Sequence, residues 1–267
     1  MQQLIPVWVI NLKKRPDRLQ KIGNRLDQLG IKWQRIDAVD GLNCNLSSLD
    51  ISAKDGEVGF LSDSTRACTA SHYKFWEILI SSKYKYGIVL EDDVEFSDDF
   101  SDLVCDESWI PNGANLIKLE KFAPSRASTI LLGSILSQTL SGTRHIHRMY
   151  SRHTGAAAYL MSDEAAKRAI QWNSQYTVPV DHLLFNETVS KLCTSLAPLI
   201  LVPPITWQSI EVGQGSNIVG SYKLNPISKR QKFFRSIKRA YYESRLWPYQ
   251  ILLVIMGIAK IRNILPK

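Results

Sequence analysis

PVWVINLKKRPDRLQKIGNRLDQLGIKWQRIDAVDG, Pro6 to Gly41, is the stretch whose reading decides the fold. Pro6 to Leu12 is a short, β-branched apolar run and predicts a buried strand. Pro16 suits the first turn of a helix, where its missing N–H would be unpaired anyway. Leu19, Ile22, Leu26 and Leu29 follow at helical spacing, and Gly30 supplies the stop. IKWQRIDAVDG predicts a second strand that ends in a turn at Asp40-Gly41. Strand, helix and strand in direct succession predict a parallel sheet with a right-handed crossover.

The same alternation continues along the chain. Residues 42–62 are polar and weakly patterned and read as a loop. A helix is expected from about Asp63 to Lys83, with Cys68, Phe75, Trp76 and Leu79 on one stripe. YGIVLEDDVEF, Tyr86 to Phe96, supplies a third strand; Ala114–Glu120 and Gly155–Ser162 supply a fourth and a fifth. Ser162 is placed to cap the helix DEAAKRAIQW. A short helix starts near Asp181, and PLILVPPIT forms a last strand. The expectation is one α/β domain with a mainly parallel sheet over residues 1–220, followed by a tail over 221–267.

The chain has 267 residues, 45% hydrophobic and 22% charged, an ordinary globular composition. Cys44, Cys68, Cys105 and Cys193 show no paired spacing, which suits a reducing compartment and offers no obvious zinc site. Met1 leads directly into a strand-like segment without a signal-peptide pattern, so a cytoplasmic location is expected. The net charge of +8 is uneven: from Ser221 onward 11 bases face one acid, a net of +10, leaving 22 bases and 24 acids, a net of −2, in the body. The tail mixes those bases with Phe, Tyr and Trp, and its longest apolar run, Ile251–Ala259, is nine residues, where a spanning helix needs about 20. A basic amphipathic helical tail of this kind is expected to lie on an anionic membrane surface. Its rivals are a helix docked on the body and nucleic-acid binding. The latter is disfavoured because the bases are confined to one end and no recognised module is present.

Glu91, Asp92 and Asp93 stand side by side where the third strand runs out. Adjacent carboxylates repel, and at a strand end they are partly desolvated. The carboxyl edge of a parallel sheet is where open α/β folds bind ligands, and hard oxygen ligands such as Glu91 and Asp93 suit Mg²⁺ or Mn²⁺. Strand alternation puts Glu91 and Asp93 on one face and Asp92 on another. An exposed acidic turn is the bland alternative. Asn11, Arg15 and Arg18 lie at the first strand–helix junction, which favours anions; a basic surface helix start is the alternative there. There is no glycine-rich phosphate loop. A phosphohydrolase with an aspartyl nucleophile after the first strand is disfavoured, because Asn11 stands there.

VINLKKRPDR, RIDAVDG, GEVGFLSDSTRACTASHYKFWE, GIVLEDDVEF and GAAAYLMSDEAAK together, in this order, resemble glycosyltransferase family 25, over roughly residues 6–210. One stretch departs: GFLSDSTRACTASH carries extra residues where the family reads close to G-C-x-x-S-H. The resemblance implies a GT-A-type, Rossmann-like domain with Glu91-Asp92-Asp93 similar to the metal-binding DxD element. It implies a Mn²⁺ or Mg²⁺ cofactor, a UDP-sugar donor with Asn11, Arg15 and Asp92 near the nucleotide and Asp37 near the uridine, and a donor-site role for Ser71 and His72. It implies inverting transfer of a hexose, galactose from UDP-galactose, onto the lipid-linked core of lipopolysaccharide or lipooligosaccharide at the inner membrane face. A glucosyltransferase of the same fold and a non-catalytic nucleotide-sugar or glycan-binding module are the alternatives. An inverting transfer needs a base; Asp181 is the first candidate, against a role as an N-cap, and Glu120 the second, against a role as a surface acid. His72 on its apolar stripe also reads as a core histidine. His153 reads first as a loop histidine with no role, with contact to the acceptor as the alternative, and His145 and His147 fall in a basic loop and are assigned no role.

Overall fold

A computed structural model describes residues 2–41, 62–121, 128–172, 178–208 and 229–264. The opening stretch forms β1 (Val7–Asn11), α1 (Pro16–Gln28) and β2 (Trp33–Asp37), with β1 and β2 parallel. Pro16 begins α1, and Gly30 follows its end at φ +68°. The read loop at 42–62 lies outside the described residues except for Ser62, whose hydroxyl accepts from Thr65 N and caps α2 (Asp63–Ser81). Gly41 passes so close to this helix start that a Cβ there would sit 2.7 Å from the Asp63 backbone.

The chain continues through β3 (Tyr86–Glu91), β4 (Val94–Phe96), α3 (Phe100–Cys105), β5 (Leu116–Lys118) and β6 (Glu120–Lys121). Then come β7 (Ser128–Gln138), β8 (His145–Met149), β9 (Ala158–Ser162), α4 (Asp163–Gln171), α5 (Val180–Phe185) and α6 (Lys191–Leu196). β10 (Leu199–Val202) and β11 (Thr206–Gln208) close the body. Ser162 caps α4 through Ala165 N, as its position predicts.

Nine strands form one sheet in the order β12-β7-β8-β10-β5-β9-β3-β1-β2, where β12 is Ala259–Ile264; β4, β11 and β6 form a small second sheet. Only β2–β1, β1–β3 and β5–β10 pair in parallel in the large sheet. The expected mainly parallel sheet is therefore a mixed one. β9 enters antiparallel between β3 and β5, and strand direction is set by long-range partners that a strand's own residues do not encode. The read fourth strand is split between the two sheets at Leu119.

Helices cover both sheet faces, so the central strands are apolar without alternation. Trp8, Ile10 and Val89 pack with Phe75, Trp76, Leu79, Ala165 and Leu184 on one face, while Val7, Val9, Ile88 and Leu90 pack with Ile22, Leu26 and Leu103 on the other.

Two further differences lie at the β12–β7–β8 end of the sheet. His145 and His147 sit on β8, paired with β7 and β10, and not in a loop. The tail forms α7 (Lys229–Ser244), α8 (Trp247–Ile255) and β12, and β12 pairs with β7 over Ala259–Ile264. Leu253 and Ala259 pack on Leu131, Gln250 Nε2 donates to Tyr150 O at 2.7 Å, and Ile264 reaches the main core at 1% exposure. The tail thus completes the body's sheet, while the read boundary at 220/221 falls outside the described residues. No helix among the described residues is long and apolar enough to cross a membrane.

Candidate active site

β1 lies parallel between β2 and β3, so Asn11 lies beside Asp37 and Ile10 beside Glu91 at the same end of the sheet. The strand ends at Glu91, and Asp92-Asp93 turn the chain into β4. A cleft of about 120 Å³ opens there, lined by Leu12, Arg18, Asp40, Cys68, Ser71 and all three carboxylates, among others. A larger open groove, about 650 Å³, lies at the amino ends of β1 and β2, away from these acids.

The turn overrides the expected alternation. Arg18 Nη1 reaches Asp92 Oδ1 at 3.1 Å and Asp93 Oδ2 at 3.3 Å, so these two share a cation. Glu91 instead points to α2. Asn11, 1% exposed, donates from Nδ2 to Asp92 Oδ2 at 2.7 Å and to Arg15 O at 2.9 Å. Arg15 turns its guanidinium outward to Asp17, while Arg18, one helical turn further on, meets the acids. Asp37 is exposed and paired with Arg35; Asp40, paired with Lys14, lines the cleft in its place.

On α2, Ser71 Oγ accepts from Val39 N and donates to Ala67 O, both at 2.8 Å, tying the end of β2 to the helix. His72 is buried at 1% exposure, with Nε2 3.2 Å from Glu91 Oε1 and Nδ1 2.9 Å from Tyr159 Oη. Trp76 Nε1 donates to the same Tyr159 oxygen at 3.0 Å. A carboxylate only accepts, so the tautomer that fits places the imidazole proton on Nε2 towards Glu91; Nδ1 then accepts from the Tyr159 hydroxyl, whose oxygen also takes the Trp76 N–H. His72 is thus a core histidine that also orients a cleft carboxylate. Cys68, Ser71 and His72 keep the C-x-x-S-H spacing on one helix.

Glu120 is fully buried, not a surface acid. Its Oε1 accepts from Lys118 Nζ at 3.0 Å and from Ala157 N at 2.9 Å. Lys118 also donates to Gly155 O and sits 4.5 Å over the Phe185 ring. Asp181 is half-buried in the first turn of α5. It does not cap that helix, which Pro179 begins; its Oδ2 accepts from Gly155 N at 3.2 Å. His153 is buried, and no partner is found among the described residues for its Nδ1; burial and the nearby Lys118 and Lys121 hold its pKa well below the usual value.

Charge decides the chemistry here. Burial, then the Glu91 charge, push Asp93 up to about 7 against the pull of Arg18, with Asp92 and Glu120 adding to the rise. Burial also raises Asp92, opposed by Asn11 and Arg18, and raises Glu120, opposed by Lys118. Asp93 Oδ1, Asn11 Oδ1 and Glu120 Oε2 are buried oxygens without a partner among the described residues. An oxygen-rich, under-neutralised set of this kind fits a hard divalent cation. Sequence reading passed over Tyr159 and Lys118, which gave no local signal, and Cys68 as a site residue, whose i, i+4 spacing to His72 was visible.

The chain is thus an α/β domain with a mixed sheet and acids at the carboxyl edge of its parallel strands, the edge where open α/β folds bind ligands. The glycosyltransferase family 25 (LPS biosynthesis protein) model matches residues 4–184, and the chain belongs to that family. It is 26% identical over 240 residues to a glycosyltransferase 25 family member of Aedes aegypti, covering 74% of this chain and 35% of that protein. It is 25% identical over 185 residues to the lipooligosaccharide biosynthesis protein lex-1 of Haemophilus influenzae, covering 66% of this chain and 59% of that one. An inactive glycosyltransferase 25 family member 3 of Mus musculus is 34% identical over 102 residues, 35% of this chain and 17% of that protein. The chain thus spans less than two thirds of these relatives. Among solved structures, a glycosyltransferase involved in glycosylation of the PBCV-1 major capsid aligns at TM-score 0.40 and 9% identity over 82% of this chain and 97% of that one, a coarse likeness.

The raised Asp93 makes a pH prediction. Its folded pKa of about 7 exceeds the unfolded 3.8. Between those values the folded state keeps a proton that the unfolded state has lost, so this contribution to stability falls as pH rises and levels off above about 7. Denaturant unfolding of the metal-free protein should show a larger loss of stability from about pH 5 to about pH 8 than Asp93→Asn shows. Equal losses would contradict the shift.

Proposed function

We propose that the chain is a metal-dependent, inverting hexosyltransferase that moves galactose from UDP-galactose onto a lipopolysaccharide or lipooligosaccharide core. The observation that carries this is the set Glu91, Asp92, Asp93 and Glu120, whose charges bear on one another around Asp93 while Arg18 bridges two of them. Family membership and the likeness to lex-1 of Haemophilus influenzae support the reaction class and the acceptor. A glucosyltransferase of the same fold is the nearest alternative. Relatives described as inactive favour a second reading, a non-catalytic nucleotide-sugar-binding module.

Glu91 and Asp93 would hold Mn²⁺ or Mg²⁺, with Asp92, fixed by Asn11 and Arg18, beside them. Such a cation, when bound, neutralises the leaving diphosphate. The acceptor hydroxyl oxygen forms a bond to the anomeric carbon as the bond from that carbon to the diphosphate oxygen breaks. Asp181 takes the hydroxyl proton. Its partial exposure supports it over Glu120, which is fully buried and held by Lys118. Asn11, Asp92, Ser71 and His72 shape the donor side; Arg15 and Asp37, both turned to local partners, are left with at most a contact at the rim.

The tail is proposed to hold the enzyme on the anionic inner face of the cytoplasmic membrane, where a lipid-linked acceptor resides. Phe233, Phe234, Ile237 and Tyr241 on α7, Trp247, Ile251 and Ile255 on α8, and Met256 just after it are exposed, Ile255 at 77%. Apolar insertion beside basic residues supports peripheral binding.

Three outcomes test these statements. Asp93→Ala should abolish transfer while retaining the fold, and excess EDTA should do the same to the parent; full activity in either case would refute the metal site. Asp181→Asn should lower kcat on the order of 10²–10⁴-fold with UDP binding little changed, whereas an unchanged kcat would move the base to Glu120 or another acid. Because deleting the tail also removes β12, the membrane test uses Trp247→Ser/Ile251→Ser/Ile255→Ser. This variant should co-sediment less with anionic liposomes, and undiminished binding would exclude α8 as the anchor.

A further inference from the structure

Cys68 and His72 lie one turn apart on α2 and face Glu91 at the end of β3. Sγ of Cys68, a ring nitrogen of His72 and a carboxylate oxygen of Glu91 all lie within 4.8 Å of one another. Glu91 Oε1 is 3.7 Å from the sulfur and 3.2 Å from Nε2. Sulfur, imidazole and carboxylate are a poor set for Mg²⁺ but a good one for a thiophilic cation. The far side of the imidazole already has the outer partner that metal-bound histidines use, here the Tyr159 hydroxyl steadied by Trp76. Cys68 and Glu91 line the cleft, so a fourth position would open to it.

We propose that Cys68, His72 and Glu91 form a second, soft-metal site that takes Zn²⁺. Binding displaces the Cys68 thiol proton to solvent. The neutral His72 ligates through Nε2 and carries its proton on Nδ1, where the Tyr159 oxygen accepts the hydrogen bond in place of donating one. Glu91 is shared with the hard-cation set, so zinc takes a ligand from it. That consequence alone rests on the transferase reading: Zn²⁺ would inhibit transfer supported by Mn²⁺ or Mg²⁺. The soft site itself stands on the three side chains.

The test uses Co²⁺ as a spectroscopic substitute for zinc on the full-length reduced protein. One Co²⁺ per chain should give a near-ultraviolet sulfur-to-cobalt charge-transfer band, displaced by Zn²⁺ but not by excess Mg²⁺. Cys68→Ser should lose the band, which also sets aside Cys44, Cys105 and Cys193. Tyr159→Phe removes only the outer partner and should weaken Zn²⁺ binding roughly 10–100-fold. Metal-free thermal unfolding checks that both variants fold. Absence of the band in the parent, or an unchanged band in Cys68→Ser, would overturn the proposal and leave the trio as hydrogen bonds that orient Glu91. If the band forms but no sugar is transferred, the transferase reading fails and the soft site stands. If metal-dependent transfer occurs without the band, the reverse holds.

Discussion

Repulsion among desolvated carboxylates at the end of β3 is the constraint around which this molecule is arranged. Glu91 is carried out of the core by a strand that is buried to Leu90, and the turn behind it places Asp92 and Asp93 beside a guanidinium. Burial and mutual charge lift Asp93 to about 7 even with Arg18 in contact. A site left in that condition is poised for a cation, and the hydrogen bonds around it hold the acids in place despite their repulsion.

Neighbouring elements contribute to that restraint. β1 brings Asn11 under Asp92, and α1 brings Arg18 over both aspartates. α2 presents His72, itself fixed through Tyr159 by Trp76, to Glu91. β6 instead adds to the repulsion with Glu120, itself paired with Lys118. These contacts arise because helices bury both faces of the sheet, so that strands, helices and turn meet at one edge. Glu91 faces both the aspartates of the turn and the Cys68–His72 pair, so the two proposed metal sites would draw on one carboxylate.

Much of this was legible in the residues. Pro6 to Gly41 carries a buried apolar run, a helical stripe begun by Pro16 and the glycine that follows its end, and three adjacent acids at the end of an apolar run point to the candidate cleft. What escaped was whatever depends on distant partners. HIHRM buries only Ile146 and Met149, three residues apart, so its polar positions read as a loop until β7 and β10 are beside it. AKIRNI buries only its end residues, Ala259 and Ile264, too sparse a pattern to mark a strand. Arg15 and Arg18 look equivalent in sequence, and only the rotation of α1 turns Arg18 to the acids. Tyr159 sits in a uniformly apolar strand with nothing local to single it out.

The most direct test of the central claim is calorimetric titration of UDP into the protein with and without Mn²⁺. If the acids at the end of β3 repel a diphosphate until a cation neutralises them, UDP should bind when Mn²⁺ is present and lose most of its affinity in excess EDTA. Equal affinity in the two conditions would show that the carboxylates do not govern nucleotide binding, and would contradict the account.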